Sequence, residues 1–368
     1  MLRLATMPVA PLTRAAAAAD RPDRDILFAM SVGHLPETTG GVESTTHELC
    51  RALSLRGWRP AVLCGTQAAN AAPEDALGYA VERRRDPLAS LPATCRRLRP
   101  AIAVVQLGRV VPLARALVEL GVPTLLYLHN LELAEMGGDL FSHRLLGTIT
   151  NSEFMADALM PLVGARPAVV PPLIDRAAYR TTPTGKMATF INPLPAKGLD
   201  IVLALAARCP DIPFEFVESW PLRPAEEAAL AARLEDLPNV TLTRRCPDMR
   251  AVYGRSRVLL APSRWIESWG RVASEAQISG IPVIAARRGG LPEAVGSGGI
   301  LVDPEAPLAD WAAALATLWD DPAAHRRYQA AALAHAARPE IQPDALLDRF
   351  ITAVEGHLAA AGGSPPRR

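Results

Sequence analysis

Two glutamates, Glu267 and Glu275, are separated by seven residues in the segment RWIESWGRVASEAQISG. If these positions are helical, a rise of ~1.5 Å per residue separates the two carboxylates by roughly 12 Å, about the distance from sugar to ribose across a pyrophosphate. A helix that begins around Trp269, Gly270 and Arg271 directs its first free N–H groups at an anion. The segment therefore predicts that Glu267 accepts hydrogen bonds from a hexose, that backbone N–H groups bind phosphates, and that Glu275 accepts hydrogen bonds from a ribose.

A histidine, His129, closes the apolar segment TLLYLH. Parallel sheets carry their functional groups at the carboxyl ends of their strands, and an uncharged imidazole there can hydrogen-bond a sugar hydroxyl or take up a proton. The alternative is a purely structural histidine. The other six histidines form no pair at the spacing of metal ligands. We therefore predict a site that uses no metal ion.

The elements that must position these side chains follow one pattern twice. Continuous apolar segments of strand length alternate with helical segments, which predicts a parallel sheet covered on both faces. The pattern restarts after a Pro- and Thr-rich stretch at residues 181–186. We predict two doubly wound α/β domains, residues 25–175 and 176–342, with the functional site in the crevice between them. The alternative is two independent Rossmann-like domains that share no site.

The ends of the chain are assigned separately. Residues 343–360 are predicted to form a helix that packs back on the N-terminal domain. Residues 1–24 and 361–368 are predicted to be disordered tails, because they are rich in Ala, Pro, Gly and Arg and lack apolar periodicity.

Composition excludes several classes of protein. The 368 residues carry 39 basic and 38 acidic side chains, a net charge of +1, which argues against a dedicated nucleic-acid binder. The five cysteines are scattered and form no Cys-x-x-Cys pair, which argues against a disulfide framework or a zinc site. The apolar segments are too short to cross a membrane, and the N-terminus resembles no signal peptide. These features predict a cytoplasmic protein.

Taken together, the motifs resemble one enzyme family over about residues 26–358. The Glu267–Glu275 segment looks like the Glu-x7-Glu motif of the retaining GT-B glycosyltransferases of family 4. Further segments that match the family's pattern are PETTGGVESTTHEL, TNSEFMAD, VVPPLIDRAAY, NPLPAKGLDIVL and GIPVIAARRGGLPEAV. The resemblance implies the GT-B fold, in which two Rossmann-like domains face a central cleft.

The resemblance also implies roles for individual residues. Gly40 and Gly41 would lie beside the donor phosphates, because glycines allow a close approach of the backbone. Lys197, one of only two lysines, would neutralise the charge that grows on the leaving phosphate. Asn192 stands where the family usually has an arginine. Either Lys197 then acts alone, or another arginine replaces the missing cation, with Arg271 and Arg288 the nearest candidates.

The implied function is a metal-independent retaining transfer of sugar from a nucleoside diphosphate to an acceptor, with no further cofactor. His129, Lys197 and Glu267 are the expected catalytic residues, and the leaving phosphate is expected to help deprotonate the acceptor on the same face. The alternatives are a GT-B sugar-nucleotide epimerase and a non-catalytic partner of another transferase. A second, weaker hypothesis is that the arginines at positions 83–85, 96, 97 and 99 contact a membrane that carries the acceptor. The sequence leaves the oligomeric state, the acceptor, the base and the sugar open.

Overall fold

The N-terminal half folds around a seven-stranded parallel sheet in the computed structural model, which describes residues 24–68, 74–140 and 147–362. The strands are β1 (Asp25–Ala29), β2 (Arg59–Gly65), β3 (Ala80–Arg84), β4 (Ile102–Val105), β5 (Thr124–Leu128), β6 (Gly147–Thr150) and β7 (Ala168–Val169). They lie in the order β3-β2-β1-β4-β5-β6-β7. The helices are α1 (Gly41–Leu55), α2 (Pro87–Leu98), α3 (Val110–Glu119) and α4 (Glu153–Val163), and the short α5 (Arg176–Tyr179) that follows β7 packs against the C-terminal half.

Strand β1 shows why this sheet is covered on both faces. Successive side chains of a strand point to opposite faces, and both faces of β1 are apolar. Ile26 and Phe28 pack into one buried cluster, whereas Leu27 and Ala29 pack into another on the opposite face. A strand that is apolar at every position therefore requires helices on both sides.

The C-terminal half repeats the design with six parallel strands. They are β8 (Met187–Ile191), β9 (Phe214–Val217), β10 (Val240–Thr243), β11 (Ser256–Ala261), β12 (Val283–Ala286) and β13 (Gly299–Val302), in the order β10-β9-β8-β11-β12-β13. Its helices are α6 (Leu199–Arg208), α7 (Pro224–Leu234), α8 (Met249–Tyr253), α9 (Arg271–Ile278), α10 (Leu291–Val295), α11 (Leu308–Trp319) and α12 (Pro322–Ala336). The predicted pair of doubly wound Rossmann-like domains is confirmed.

The last helix, α13 (Pro343–Gly362), returns to the N-terminal half. Leu347, Phe350 and Val354 belong to the buried cluster that covers one face of the first sheet. The ring of Phe350 lies 6.0 Å from that of Phe28. The tails predicted at residues 1–24 and 361–368 lie outside the described residues, apart from Arg24 and the last two positions of α13.

The two halves are joined by polar contacts as well as by the chain. Glu293 of α10 accepts hydrogen bonds from the backbone N–H groups of Glu153 and Phe154, each at 2.8 Å, so a carboxylate of one domain caps a helix of the other. Nearby, Asn151 Nδ2 donates to Ser268 Oγ at 2.8 Å. These contacts connect the start of α4 to the loop that precedes α9.

Strand β3 was not predicted, and this changes the interpretation of Arg83. The segment AVERR looked like an exposed charged run, but it forms an edge strand in which Arg83 is buried. Its guanidinium donates to Glu74 and to the carbonyl oxygens of His34 and Leu35. Arg83 is therefore unable to contact a membrane, and that part of the membrane hypothesis is wrong.

Candidate functional site

The carboxyl ends of both sheets carry the residues that were singled out from the sequence. Gly40 and Gly41 follow β1, and His129 follows β5 directly. In the second sheet, Lys197 follows β8 and Glu267 follows β11. Loops at this edge are where open α/β sheets bind their ligands, so these residues share the edge that faces the cleft.

Lys197 and Glu267 form an ion pair. Lys197 Nζ lies 2.7 Å from Glu267 Oε1, and Ser263 Oγ donates to the same oxygen at 2.9 Å. Both charged side chains are partly buried, with exposed fractions of 15% and 19%. Gly198 allows this arrangement, because its φ is +85° and a Cβ there would collide with the carbonyl oxygen of Pro262.

The loop that carries Glu267 is not helical, which corrects the sequence-based spacing argument. Helix α9 begins only at Arg271, so the rise per helical residue does not apply from Glu267 onward. The backbone oxygen of Glu267 instead accepts a hydrogen bond from Gly290 N at 2.7 Å. The residue is thus held by the Gly-Gly turn that precedes α10.

Helix α9 begins after Gly270, whose φ of +98° reverses the chain. The side chain of Trp269 packs in the core and donates from Nε1 to Ser274 Oγ at 2.9 Å. Ala273 N donates to Gly270 O, but the N–H groups of the two preceding helical residues have no acceptor within the helix. These N–H groups are available to an anion, and the anion site at the start of α9 stays a prediction.

Glu275 is buried one turn into α9. Its carboxylate accepts hydrogen bonds from Arg271 Nε at 2.7 Å and from the hydroxyl of Tyr253 at 2.8 Å. Burial raises the pKa of Glu275, whereas the neighbouring Arg271 lowers it. The assignment of Glu275 to a ribose stays a prediction, and the structure adds that two protein donors already hold this carboxylate.

Arg271 does not supply the missing donor cation. Its buried guanidinium forms an ion pair with Glu48 of α1 at 2.7 Å, and it also donates to the hydroxyls of Thr45 and Tyr179 at 3.1 and 3.0 Å. The side chain therefore connects helix α9 of one domain to α1 of the other. Only the backbone N–H of Arg271 remains available to a donor phosphate.

Arg288, the other candidate for that cation, also has protein partners. It donates to the carbonyl oxygen of Arg264 at 2.7 Å and forms an ion pair with Glu305 at 2.9 Å. The hypothesis that a displaced arginine replaces the family's cation therefore finds no support at either proposed position.

Asn192 performs a different task from the arginine that it replaces. Its φ is +62°, a left-handed conformation that asparagine tolerates better than most residues. Its Oδ1 accepts hydrogen bonds from the backbone N–H groups of Ser219 and Trp220, at 3.2 and 2.7 Å. Asn192 Oδ1 therefore holds the loop that follows β9, and the assignment of Asn192 to the donor site stays a prediction.

The glycine loop contacts the opposite domain. A Cβ placed on Gly40 would lie 3.4 Å from Trp220 Nε1, and one on Gly41 would lie 3.9 Å from Arg271 Cδ. The hydroxyl of Thr39 accepts a hydrogen bond from Arg245. Both glycines thus lie where the two domains approach each other, close to the Lys197 side of the cleft.

His129 is held by hydrogen bonds and kept uncharged by burial. Gln106 Nε2 donates to Thr46 Oγ1 at 2.6 Å, so Gln106 Oε1 is the acceptor that faces His129 Nε2 at 3.1 Å. This assigns the proton of the imidazole to Nε2. The ring of Tyr127 lies 4.0 Å from the imidazole, and burial lowers the pKa of His129 to about 3. His129 is therefore neutral near pH 7, as the sequence argument requires.

Four residues of this site escaped the sequence analysis: Ser263, Trp220, Glu48 and Tyr253. Ser263 precedes Glu267 by four positions in a loop, where no periodicity identifies a contact. The partners Glu48 and Tyr253 are separated from Arg271 and Glu275 in the chain by 223 and 22 positions. Only Trp220 could have been identified from the sequence, because a tryptophan in the loop after a predicted strand is a candidate ligand contact.

The described residues meet the requirements neither of a metal site nor of a membrane-spanning helix. Within residues 24–68, 74–140 and 147–362, no group of three or more His, Cys, Asp or Glu side chains has an arrangement that could hold a metal ion. Within the same residues, no helix combines the length and the apolar composition that crossing a membrane requires.

Acid is expected to destabilise the fold, because two buried histidines and one partly buried histidine are held in the uncharged form. Burial lowers the pKa of His34 and His129 to about 3 and that of His47 to about 4. Unfolded histidines titrate near 6.5, so the unfolded chain binds protons first as the pH falls. At pH 5 each histidine removes about 2 kcal/mol of the stability that is present above pH 6.5. Urea unfolding at pH 7 and pH 5 measures the loss.

The variant His129→Gln is the control for this pH dependence, because it removes one of the three titrating groups. Its loss of stability between pH 7 and pH 5 is expected to be smaller by about a third. The buried carboxyls Glu43, Glu48 and Glu275 have raised pKa values and oppose the effect at the acidic end. Equal stability of the wild type at the two pH values would contradict the buried neutral histidines.

Two family profiles match the chain. The profile described as Glycosyltransferase Family 4 matches residues 39–178, which hold the glycine loop and His129. The profile described as Glycosyl transferases group 1 matches residues 188–321, which hold Lys197, Glu267 and Glu275. The matched ranges together include most of both domains.

Several curated relatives are named D-inositol 3-phosphate glycosyltransferase. The protein from Segniliparus rotundus is 33% identical over 241 residues, which are 58% of this chain and 53% of the relative. The one from Mycolicibacterium vanbaalenii is 34% identical over 257 residues, which are 60% of this chain and 56% of the relative. The chain thus spans about half the length of the curated relatives that it matches.

Solved structures share the fold at low sequence identity. Sucrose-phosphate synthase from Thermosynechococcus elongatus superposes with a TM-score of 0.76 at 18% identity, covering 92% of this chain and 100% of that chain. The Anabaena protein Alr3699/HepE, solved in complex with UDP, gives a TM-score of 0.73 at 18% identity and covers 90% and 100%. These likenesses concern the arrangement of the two domains alone.

Proposed function

We propose, from the premise that this chain belongs to the GT-B glycosyltransferases of family 4, that it moves a sugar from a nucleoside-diphosphate sugar to an acceptor hydroxyl with retention of configuration. One observation carries the proposal. The Lys197–Glu267 ion pair is formed by the loops after β8 and β11, the second of which leads into α9, and Trp220 connects the pair to the glycine loop of the opposite domain. A cation, a carboxylate and unpaired N–H groups are the groups that a sugar diphosphate requires.

The residues divide the donor among them. Backbone N–H groups at Gly40, Gly41 and the start of α9 bind the diphosphate, and Lys197 stabilises the charge that develops on it. Glu267 accepts hydrogen bonds from the sugar, and Glu275 accepts them from the ribose. The protein contributes positioning and charge stabilisation, while the leaving phosphate takes the proton of the acceptor on the same face.

His129 is assigned to the sugar or to the acceptor rather than to the phosphates. Its pKa of about 3 makes it a poor cation at neutral pH, so it cannot balance phosphate charge. With Nε2 donating to Gln106, the unprotonated Nδ1 is the nitrogen that can accept a hydroxyl proton. In this role His129 orients an attacking or a sugar hydroxyl.

The donor is proposed to react without a metal ion, because Lys197 and the helix N-terminus supply the positive potential. The names of the relatives make inositol 3-phosphate the first acceptor to test, and the UDP complexes of one structural neighbour make UDP-sugars the first donors. The five free cysteines of the described residues favour a reducing compartment, and we place the protein in the cytoplasm.

The variants Glu275→Ala and Glu267→Ala are expected to lose different properties, nucleotide binding and turnover respectively, and this difference tests the proposal. Glu275→Ala removes an acceptor of the ribose hydroxyls and should weaken nucleoside diphosphate binding by about 1.5–3 kcal/mol. Glu267→Ala should lower turnover while the free nucleotide still binds, because the free nucleotide carries no sugar. Isothermal titration with UDP, GDP and ADP and with the corresponding nucleotide sugars measures the affinities, and the rate of nucleoside diphosphate release from the nucleotide sugars measures turnover.

The matched control is Glu305→Ala, which removes an exposed partner of Arg288 outside the proposed donor contacts. It should bind nucleotide like the wild type. Equal losses of nucleotide and nucleotide-sugar affinity in Glu267→Ala would contradict the division of the donor between the two carboxylates, as would unchanged nucleotide affinity in Glu275→Ala.

A second candidate function is a non-catalytic partner that binds sugar nucleotides. The observation that favours it is Asn192, which lacks the charge of the family's arginine and is committed to the loop after β9. Release of nucleoside diphosphate from a nucleotide sugar separates the two functions, since only the transferase breaks the bond between sugar and phosphate.

A further inference from the structure

Trp220 occupies an unusual place for a large aromatic side chain. It lies within the loop between β9 and α7 and is 40% exposed. One face of its ring lies 5.0 Å from Lys197 Nζ, a cation–π distance. Its indole Nε1 lies on the side of the glycine loop, 3.4 Å from the point that a Cβ on Gly40 would occupy. The ring therefore lies between the catalytic cation and the loop that is proposed to bind the diphosphate.

The indole N–H of Trp220 has no acceptor within the protein in the part of the chain that the structure describes. The hydrogen bond of this residue is made by its backbone N–H, which donates to Asn192 Oδ1 at 2.7 Å. An N–H donor that has no protein partner and is directed toward a phosphate site is suited to a ligand oxygen. The cation–π contact fixes the ring plane and leaves this N–H free.

The position of Trp220 depends on Asn192. Strands β8 and β9 are neighbours, with Ile191 opposite Val217, so the residues that follow them are adjacent. The left-handed backbone of Asn192 turns its Oδ1 toward the loop after β9, where it accepts from the N–H groups of Ser219 and Trp220. The residue that replaces the family's arginine thus positions the residue that faces the diphosphate.

We propose that Trp220 is a donor-positioning residue whose indole N–H donates a hydrogen bond to the donor diphosphate, in place of the arginine that Asn192 replaces. This inference rests on the proposed function, because it assumes a diphosphate between Gly40 and Lys197. Trp220 supplies a directed neutral donor in place of a charge, and its ring face stabilises the ammonium of Lys197. In this arrangement Lys197 supplies the positive charge, Asn192 positions Trp220, and Trp220 orients the diphosphate.

One nearby group needs an account. Glu43 Oε2 lies 2.5 Å from the same Cβ point on Gly40, so a carboxyl group faces the proposed phosphate position. Burial raises the pKa of Glu43, which favours the neutral form that does not repel a phosphate. The rival arrangement is an indole N–H that turns to Glu43 when the site closes, and the variants below distinguish the two.

The variant Trp220→Phe keeps the aromatic face and removes the N–H. Nucleoside diphosphate affinity should fall roughly ten- to hundredfold, the usual value of a hydrogen bond to a charged group. Because the lost donor is neutral, the dependence of affinity on salt should stay that of the wild type, whereas Lys197→Met should reduce it. Trp220→Ala should bind nucleoside diphosphate more weakly still, since it also removes the ring that contacts Lys197.

The variant Asn192→Gly tests the positioning step. Glycine adopts the same left-handed backbone without strain, and the change removes the whole side chain, including the Oδ1 acceptor. The affinity of Asn192→Gly for nucleoside diphosphate should fall toward that of Trp220→Phe. The double variant Asn192→Gly/Trp220→Phe should lose less binding free energy than the sum of the two single losses, because both changes weaken the same hydrogen bond to the diphosphate. Additive losses would contradict the coupling between Asn192 and Trp220.

The deciding experiment is calorimetric titration of the full chain with UDP, GDP and ADP at two salt concentrations. Trp265→Phe is the matched control, because Trp265 is 39% exposed near the same cleft and should show wild-type affinity. Circular dichroism and thermal unfolding establish that each variant is folded. Wild-type affinity in Trp220→Phe would overturn the inference, and tighter binding in Trp220→Ala would do so by showing that the indole blocks the site.

These outcomes are distinguishable from a failure of the proposed function. If Lys197→Met weakens nucleotide binding and Trp220→Phe does not, the proposed donor site is supported and the proposed role of Trp220 is wrong. If the wild type binds none of the three nucleotides, the proposed function itself fails, and the inference fails with it.

Discussion

Replacing Arg271 with methionine is expected to lower the free energy of unfolding by about 3–5 kcal/mol. The guanidinium is buried between Glu48 and Glu275, 2.7 Å from each carboxylate. Without it, two carboxyl groups from different domains face each other in a site that excludes water, and no cation compensates them. Methionine fills a similar volume, so the loss reports the missing charge rather than a cavity. Urea unfolding at pH 7 measures the change.

Two controls separate the buried charge from a general effect of removing arginine. Arg264→Met removes an exposed arginine that pairs with Asp200, and it should cost less than about 1 kcal/mol. Adding Glu48→Gln and Glu275→Gln to Arg271→Met should restore much of the stability, because neutral amides need no counter-charge. A loss below 1 kcal/mol in Arg271→Met would contradict the description of this cluster as a buried ion-paired connection between the domains.

The same cluster has a consequence for donor binding. Glu275 is the proposed ribose acceptor, and Arg271 fixes its orientation while it also holds α1. The two domains and the ribose site therefore share one side chain. In Arg271→Met we expect weaker nucleotide binding together with weaker contact between the domains.

Replacing Lys197 with alanine is expected to reduce turnover by about 10²–10³-fold. Lys197 is the cation at the proposed leaving group, and the two arginines nearest by motif have other partners. Its removal also leaves Glu267 without its ion-pair partner. Steady-state rates of nucleoside diphosphate release from a nucleotide sugar measure the effect.

The chain offers a matched control in its only other lysine. Lys186 is exposed in the segment between the two domains, and Lys186→Ala should turn over like the wild type. Undiminished turnover in Lys197→Ala would remove the electrostatic account of the leaving group and favour the non-catalytic function.

The architecture could be predicted because its signals are local. Strands β8, β11 and β12 are apolar at nearly every position, and each is followed by a helical segment, so hydrophobic periodicity alone indicates a covered parallel sheet. Strand β3 was missed because Glu82, Arg83 and Arg84 interrupt its apolar pattern. Two partners lie outside the strand: Glu74 pairs with Arg83, and Arg97 pairs with Glu82. Within the strand, Glu82 also pairs with Arg84.

The candidate site was predictable only in part, for the same reason. Motif spacing identified Lys197 and Glu267 and the start of α9, because these positions recur in a family with a known pattern. Glu48, the ion-pair partner of Arg271 in α1, is 223 positions away. The hydrophobic periodicity of a sequence does not indicate which helices of two domains contact each other. The role of Asn192 was likewise hidden, because it depends on the pairing of β8 with β9 and on a backbone angle.

The most direct test of the central claim is the anomeric configuration of the transferred sugar. The full chain is incubated with UDP-glucose or UDP-N-acetylglucosamine and inositol 3-phosphate in excess EDTA, and proton NMR follows the H1–H2 coupling of the transferred sugar. The account predicts release of nucleoside diphosphate and a product that keeps the donor's α-configuration, with Glu267→Ala and Lys197→Ala strongly impaired. A β-configured product, or transfer that stops in EDTA and returns with a divalent cation, would contradict it.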